Sequence, residues 1–231
     1  LSAQEVSQGY KTVKERSAVV RFKVVGEDAY FLAWTTTPWT LPSNVALCVN
    51  PDETYCKVKA ADGYTYYMAE ALLDKVLGKL AKEEGEKAYE VLETYKGTDL
   101  EYKAYEPLFA CAGEAAAKQK KKAHFVTCDN YVTMSDGTGI VHIAPTFGAD
   151  DANVARAAGI PSLFMINKKG ETRPMVDLTG KFYMLDELDE NFVKECVDVD
   201  KYKEYQGAWV KNAYNPVFMV DGKYDEKAAQ A

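Results

Sequence analysis

The segment that most constrains this chain is residues 34–44, WTTTPWTLPSN. Its three threonines end a strand-like apolar run over residues 30–34, and Pro38 and Pro42 follow within the same segment. Proline fixes its own φ, removes a backbone donor and keeps the preceding residue out of the helical region. We therefore predict a rigid loop over residues 35–44 without regular secondary structure, which displays hydroxyls, an indole and an amide.

A second unusual segment lies about a hundred positions downstream, at residues 137–151, GTGIVHIAPTFGADD. Its first glycines permit a turn where backbone can approach a ligand closely. Residues 140–144 predict a buried strand, and Asp150 or Asp151 opens a short helix that ends at Gly159. We expect the two unusual segments to form one pocket.

The rest of the chain predicts many strands and few helices. The expected strands cover residues 17–25, 30–35, 45–49, 55–59, 64–68, 89–95, 100–105, 125–128 and 160–166, with an extended segment at 207–220. Asp-Gly at 62–63 predicts a hairpin, and apolar residues at helical spacing predict helices over 70–84 and around 188–196. The fold class expected is α+β, as one domain over residues 1–231 with a barrel-like sheet and peripheral helices.

Composition narrows the possible partners. The chain has 231 residues, of which 47% are apolar and 27% charged, and no apolar run approaches the ~20 residues that cross a bilayer. The net charge of −7 is unlike that of proteins that hold nucleic acid mainly through its phosphates. Any contact with nucleic acid is therefore expected at a pocket, and the basic run at 118–122 is interpreted as a solvated surface.

Several kinds of chemistry lack their sequence signals. The five cysteines form no Cys-x-x-Cys pair and there are two histidines, so we expect reduced thiols and no metal site. Neither a phosphate-binding glycine loop nor a Gly-x-Ser-x-Gly elbow is present. We expect no cofactor, and any hydrolysis is expected to use bound water.

Together the motifs resemble a known family. Residues 34–44 and 137–151, with MVDLTGKF at 175–182, resemble the editing (CP1) domain of isoleucyl-tRNA synthetase over nearly the whole chain. The sister domains of the valyl and leucyl enzymes usually carry arginine after the paired threonines, where this chain has Thr37. The motifs that make aminoacyl-adenylate with ATP are missing and the chain begins at Leu1, so we expect a domain excised from a cytoplasmic enzyme.

The resemblance implies an activity. The family's domain hydrolyses valine wrongly attached to the isoleucine tRNA and helps to clear valyl-adenylate. The expected partners are the valine-bearing 3′ acceptor end of that tRNA and the remainder of the synthetase, with no membrane. A methylene group in a binding pocket is worth about 1–3 kcal/mol, a limit for which isoleucyl-tRNA synthetase is itself the standard example, so a second and smaller site is needed.

The resemblance also implies roles for eight residues. They form a catalytic group, Thr35, Thr36, Thr37 and Asp151, and a substrate-binding group, Trp34, Thr40, Asn44 and His142. Asp151 is expected to bind the α-amino group, and the three consecutive threonines to hold the terminal adenosine, the ester carbonyl and the attacking water. Trp34 and His142 are expected to form the wall of the side-chain pocket, where His142 rejects isoleucine by size.

Three alternatives remain at the level of sequence. The domain could carry a valyl- or leucyl-type pocket, although Thr37 speaks against it. It could grip the tRNA acceptor end without chemistry, or be a metabolite-binding barrel in which the threonines only end a strand. Taken singly, a lone histidine in an apolar strand or an aspartate at a helix start is usually structural.

Overall fold

The computed structural model describes residues 17–81, 87–111, 121–210 and 215–225, and the structural statements below refer to these residues. Some predictions lie outside them. These are the start of the chain at Leu1, the end of the helix expected over 70–84, the first part of the basic run at 118–122 and four positions, 211–214, of the extended segment at 207–220.

Strands predominate among the described elements. The strands are β1 (Ala18–Lys23), β2 (Tyr30–Thr35), β3 (Ala46–Val49), β4 (Thr54–Ala60), β5 (Thr65–Ala69), β6 (Tyr89–Lys96), β7 (Phe125–Cys128), β8 (Ile140–Ile143), β9 (Met165–Ile166), β10 (Thr172–Arg173), β11 (Met219–Val220) and β12 (Lys223–Tyr224). The α-helices are α1 (Leu73–Leu77), α2 (Ala149–Ala157), α3 (Glu190–Cys196) and α4 (Val199–Tyr202). The architecture is therefore mixed, with several sheets and short helices, as expected.

A five-stranded sheet in the order β1-β2-β5-β4-β6 forms the larger layer. The predicted hairpin around residues 61–63 is confirmed, because β4 and β5 pair antiparallel across it. β2 pairs with β1 along its whole length and runs parallel to β5. The C-terminal end of β2, at Thr35, places the first unusual segment, residues 34–44, at one end of this sheet, and we call these residues the threonine segment.

A three-stranded sheet in the order β7-β3-β8 carries the second unusual segment. All four residues of β3 are buried, which explains why this strand is a continuous apolar run without alternation. β3 runs parallel to β7 and antiparallel to β8, in a register that places Leu47 opposite His142. Since β3 follows the threonine segment directly, this pairing brings the two unusual segments together.

Isolated bridges connect the two sheets. Val24, just past β1, pairs with Tyr105, and the adjacent Ala104 pairs with Phe125 at the start of β7. The three-stranded sheet contributes to two apolar cores: Leu47 and Ile140 belong to the core shared with β2, β4 and β5, whereas Ala46 and Ile143 belong to the core that includes α2. The closed, barrel-like sheet stays a prediction.

The prediction of a loop without regular structure over residues 35–44 is wrong. Residues Pro38–Ser43 form a 3-10 helix, closed by the Thr40 N–H to the Thr37 carbonyl (3.0 Å) and the Asn44 N–H to the Leu41 carbonyl (3.0 Å). Pro38 occupies the first helical turn, where no donor is needed, and Pro42 removes one internal bond without preventing its neighbours' bonds.

Other differences concern segments whose composition favoured a longer element. The helix expected over 70–84 is short and interrupted: 3-10 turns Glu70–Leu72 and Gly78–Leu80 flank α1. Residues 100–105 are not a strand, because only isolated bridges form there after the 3-10 turn Gly97–Leu100. Of the strand expected over 160–166, only β9 forms.

The two downstream helices are confirmed. α2 ends beside Gly159, which has φ +66°, and α3 is capped by Asp189, whose carboxylate accepts the Phe192 N–H at 2.9 Å. All five cysteines are free thiols, three of them buried. Among the described helices, none has both the length and the apolar character needed to span a lipid bilayer.

Gly139→Ala tests the packing between the two sheets. A Cβ at this position would lie 2.3 Å from the Ala69 Cβ, and the residue has φ +72°. Gly26 is a matched control, since its φ of +78° is similar but nothing lies within 4 Å of its Cβ position. We expect Gly139→Ala to lower the free energy of unfolding by about 1–3 kcal/mol more than Gly26→Ala in urea denaturation. Equal losses would contradict this packing.

Candidate active site

The two unusual segments enclose one cavity of about 410 Å³. It opens between the C-terminal end of β2, the 3-10 helix Pro38–Ser43, strand β8 and the start of α2. Its lining residues are Trp34, Thr35, Thr36, Thr37, Trp39, Thr40, Val141, His142, Phe147, Gly148 and Asp151. The structure therefore brings together seven of the eight residues that the resemblance assigned to the site.

The threonine segment is held in shape by its own hydrogen bonds. The Thr35 hydroxyl accepts the Thr37 N–H at 3.0 Å, and the Thr40 hydroxyl donates to the Thr37 carbonyl at 2.8 Å. Thr35 and Thr40 are buried, whereas Thr36 is exposed at the cavity and Thr37 is half-buried. Threonine suits this segment because each hydroxyl can close a local turn and still offer a lone pair or a proton to a ligand.

Thr40 fixes the orientation of the cavity histidine. The Thr40 hydroxyl lies 3.0 Å from Nε2 of His142, which is buried in the middle of β8. Because the single proton of this hydroxyl is directed at the Thr37 carbonyl, its oxygen accepts from the ring. His142 is thus held as the tautomer that carries its proton on Nε2.

His142 is uncharged at neutral pH. Burial lowers the pKa of this imidazole to about 4, since taking the charged form out of water is unfavourable. Nδ1 is buried and makes no hydrogen bond to any part of the chain that the structure describes. The ring is therefore a rigid, neutral wall of the cavity.

Asp151 lies in the first turn of α2, whose N-cap is Gly148. Its Oδ2 accepts the Ala144 N–H at 2.8 Å, which ties the helix to the end of β8 and leaves Oδ1 for other donors. Asp151 therefore does not cap the N-terminus of α2, which is the usual role of an aspartate at the start of a helix. Burial raises the pKa of its carboxyl above the ordinary value; the Ala144 N–H opposes the rise and neighbouring Asp150 adds to it.

The cavity carries a negative charge that no lining residue neutralises. Among the residues that the structure describes, the only ionisable side chains that line this cavity are Asp151 and His142. His142 is neutral. No lysine or arginine lines the cavity to pair with the carboxylate. The site therefore presents one negative charge to whatever enters it, and a cationic group is the natural complement.

Gly137 allows a close approach between two parts of the chain. A Cβ at Gly137 would lie 3.0–3.2 Å from Trp34 side-chain atoms, so this glycine admits the indole that forms one wall. Trp34 also lines a neighbouring cavity of about 310 Å³, together with Tyr131, Ser135 and Asp136. At Gly137 and Gly139 the structure shows a close approach to the protein's own side chains, and an approach to a ligand stays a prediction.

Asn44 is the assigned residue that the structure does not bring to the cavity. Its amide donates to the Ala46 carbonyl at 2.8 Å, and its carbonyl oxygen accepts from the buried Tyr105 hydroxyl at 2.6 Å. Both ends of the side chain are thereby used to anchor the threonine segment to the core. Its position favours a structural role over substrate binding.

The sequence-based site assignment did not include four lining residues: Trp39, Val141, Phe147 and Gly148. All four lie inside the two unusual segments. The available signal was an aromatic side chain placed in a non-repeating segment, as with Trp39 and Phe147. No cluster of three or more potential metal ligands occurs among the residues that the structure describes.

Mild acid is expected to destabilise the fold through its histidines. Burial also lowers the pKa of His124 to about 4, as for His142, whereas an unfolded histidine titrates near 6.5. Between about pH 6.5 and 5 the unfolded chain therefore binds protons that the folded chain does not. The free energy of unfolding should fall by up to about 1.4 kcal/mol per pH unit for each histidine.

Urea denaturation across this pH range measures the effect. His124→Gln and His142→Gln should each reduce the pH slope of the unfolding free energy by about half. Slopes identical to that of the parent chain in both variants would show that neither histidine is buried in its neutral form.

Comparison with known proteins identifies the chain. No family model matches it. It is 59% identical over its whole length to isoleucine–tRNA ligase of Bacteroides thetaiotaomicron and 40% identical over 93% of its length to that of Porphyromonas gingivalis. The chain spans about a fifth of these relatives, 22% and 21% respectively. The solved editing domain of P. knowlesi cytosolic leucyl-tRNA synthetase is similar at a TM-score of 0.49 and 14% identity, covering 88% of this chain and 92% of that one. From its sequence relatives, the chain belongs to the isoleucine–tRNA ligase (isoleucyl-tRNA synthetase) family, as one segment of that enzyme.

Proposed function

We propose that this segment is the editing site of its enzyme, which hydrolyses valine from mischarged isoleucine tRNA and also cleaves valyl-adenylate. The chain belongs to the isoleucine–tRNA ligase family, in which isoleucine must be distinguished from valine, a side chain smaller by one methylene. Its motif residues line one cavity. The whole of residues 1–231 would form this unit, with the sheets arranged as a barrel. The remainder of the synthetase would deliver the tRNA acceptor end.

The observation that carries the proposal is the uncompensated carboxylate of Asp151. An aminoacyl ester presents an α-ammonium group two bonds from its carbonyl carbon. A cavity whose only charge is negative attracts that ammonium, and pairing with Oδ1 fixes where the carbonyl lies. The same charge disfavours uncharged esters and acids, which gives selectivity for aminoacyl substrates.

Water is the nucleophile that the geometry favours. The Thr40 hydroxyl donates a hydrogen bond to the Thr37 carbonyl and accepts one from Nε2 of His142. Thr40 and His142 are therefore not arranged as a hydroxyl nucleophile and its general base. Water instead attacks the ester carbonyl carbon, and the bond from that carbon to the ribose oxygen breaks. The released ribose oxygen takes up a proton, and the neighbouring ribose hydroxyl assists that transfer.

The threonine segment positions the reacting groups. Thr36 is exposed at the cavity and Thr37 half-buried, so their hydroxyl and backbone groups can hold the terminal ribose, the carbonyl oxygen and the water. The segment is rigid because its bonds to itself and the Asn44 anchor hold it. Catalysis would come from positioning in a site partly removed from water.

The size limit comes from His142. Its ring is held by Thr40 and buried in β8, so it cannot move aside to admit a larger side chain. Trp34 is packed against Gly137 on the other wall. A valine side chain would fit between these walls, and the additional methylene of isoleucine would not.

Asp151→Asn tests the charge. The amide keeps an oxygen for the Ala144 N–H but cannot pair with an ammonium as an anion. We expect kcat/KM for valyl-tRNA hydrolysis to fall by about 100-fold or more, consistent with the loss of a desolvated charge pair. Folding should be retained, because the variant removes a buried charge.

Asp150→Asn is the matched control, since Asp150 is exposed in the same helical turn and does not line the cavity. Its rate should stay within about twofold of the parent chain. Full activity in Asp151→Asn, measured by release of labelled valine, would remove Asp151 from the site and with it the main support for this function.

His142→Ala tests the size limit. Removing the ring should open the wall and allow hydrolysis of correctly charged isoleucyl-tRNA, which the parent chain spares. The variant His124→Ala removes the other buried histidine, which lies outside the cavity, and should continue to spare isoleucyl-tRNA. If both variants spare it while still cleaving valyl-tRNA, the size limit resides elsewhere.

A further inference from the structure

The connection between β7 and β8 supports one wall of the active-site cavity. It covers residues 129–139, which belong to no strand, and we call it the β7–β8 loop. Near the end of this loop, Gly137 lies against the side chain of Trp34. A Cβ on this glycine would lie 3.0 Å from Cε3 of the indole and 3.1 Å from its Cβ. Because the contact is tight, the loop limits how far the indole can move.

Strand pairing does not determine the orientation of this indole. The sheets fix the backbone at Trp34 in β2 and at His142 in β8, which are the two walls of the cavity. The His142 ring is in addition held by its hydrogen bond to Thr40. The Trp34 side chain depends on packing, and Gly137 supplies part of that packing. The position of the β7–β8 loop therefore affects the width of the cavity.

Two residues hold the β7–β8 loop on either side of Gly137. The Tyr55 hydroxyl, from β4, donates to the Gly139 carbonyl at 2.8 Å. The same hydroxyl accepts the Asn50 N–H at 2.8 Å, and the Asn50 side-chain amide donates to the Val132 carbonyl at 2.9 Å. Three hydrogen bonds, joined through Asn50 and Tyr55, thus connect Val132 to Gly139. We call Asn50 and Tyr55 the loop clamp.

Tyr55 is the buried member of the loop clamp. Its side chain is fully buried in the core shared with β2, β4 and β5, and neither clamp residue lines the active-site cavity. Burial raises the pKa of the Tyr55 phenol, so the group stays protonated and continues to donate. Without this hydroxyl the Gly139 carbonyl would lack a partner in the interior, which is unfavourable. The loop would then shift until that carbonyl found another donor.

We propose that Tyr55 is a positioning residue that sets the size limit of the active-site cavity from outside it. Through the β7–β8 loop it keeps Gly137 against Trp34, so that the indole does not recede from a side chain one methylene larger than valine. This inference rests on the proposed editing function, since the limit it explains is that of the editing site. It adds support behind the Trp34 wall to the limit that His142 imposes on the opposite wall.

Tyr55→Phe tests the proposal, because it removes one oxygen and keeps the ring in the core. We compare kcat/KM for the valyl and isoleucyl esters of adenosine in the 231-residue chain. The valyl-to-isoleucyl ratio should fall about tenfold, since exclusion of one methylene is worth about tenfold or more. The fall should come mainly from faster isoleucyl hydrolysis, with kcat for the valyl ester little changed. A ratio of one in the parent chain would leave no size limit for Tyr55 to set and would overturn the inference.

Tyr202→Phe is the matched control. Tyr202 is also fully buried, and its hydroxyl donates to the Tyr183 carbonyl at 2.8 Å, but neither residue lines the active-site cavity. This variant removes a buried hydrogen bond of the same kind and should leave the valyl-to-isoleucyl ratio unchanged. An equal fall of the ratio in Tyr55→Phe and Tyr202→Phe would attribute the effect to general loosening of the fold and overturn the proposal.

Asn50→Asp acts on the other arm of the loop clamp. The carboxylate keeps an oxygen for the Asp52 N–H, which Asn50 accepts at 3.0 Å, but cannot donate to the Val132 carbonyl. The ratio should fall here as well. Asn130→Asp adds the same charge at an exposed position of the loop and should leave the ratio unchanged. An unchanged ratio in Tyr55→Phe, or in Asn50→Asp where Tyr55→Phe does not fold, overturns the proposal.

The environment of Trp34 separates failure of this inference from failure of the proposed function. If the parent chain cleaves neither ester, the editing proposal fails, and fluorine NMR of the chain labelled with fluorotryptophan then decides the inference. Trp34→Phe assigns the Trp34 resonance among those of the three tryptophans. A Trp34 resonance that shifts or broadens in Tyr55→Phe but not in Tyr202→Phe supports the loop clamp. A resonance that Tyr55→Phe leaves unchanged, or that both variants change equally, overturns it.

Discussion

The site depends on one carboxylate that the fold holds without a counter-charge. Asp151 is half-buried, and the cavity that it faces is lined by hydroxyls, aromatic rings and a neutral imidazole. Desolvation of an anion without a partner is unfavourable, so the fold must stabilise it locally, and the Ala144 N–H does so in part. In the proposed function, this uncompensated charge gives the cavity its preference for a ligand that carries a cationic group.

The scaffold around this carboxylate is built from contacts distant in sequence. β3 leads directly away from the threonine segment and pairs with β8, so Thr40 and His142 come within 3.0 Å although they are 102 positions apart. The Tyr105 hydroxyl holds Asn44 at the end of the same segment. A rigid site is thus obtained from a short 3-10 helix fixed at both ends, and rigidity is what a size limit of one methylene requires.

The sequence predicted turns and short helices whose formation depends on interactions between residues close in sequence. Asp62-Gly63 predicted its hairpin because turn chemistry acts over a few residues, and apolar spacing around 188–196 predicted α3 because helical periodicity is also local. Residues 100–105 have β-like composition but find only isolated partners, a fact set by tertiary pairing. The convergence of Thr35 and Asp151 was expected from the motifs, whereas the hydrogen bonds of Asn44 within the core had no sequence signal.

The central claim is that the negative charge of Asp151 recognises the α-ammonium of the substrate. The most direct test compares hydrolysis of the valyl ester of adenosine with that of its analogue in which a hydroxyl replaces the α-amino group. Shape is nearly unchanged and the positive charge is lost. The account predicts a kcat/KM for the analogue lower by about 100-fold or more in the parent chain, and a much smaller difference in Asp151→Asn. Equal rates for the two esters in the parent chain would contradict it.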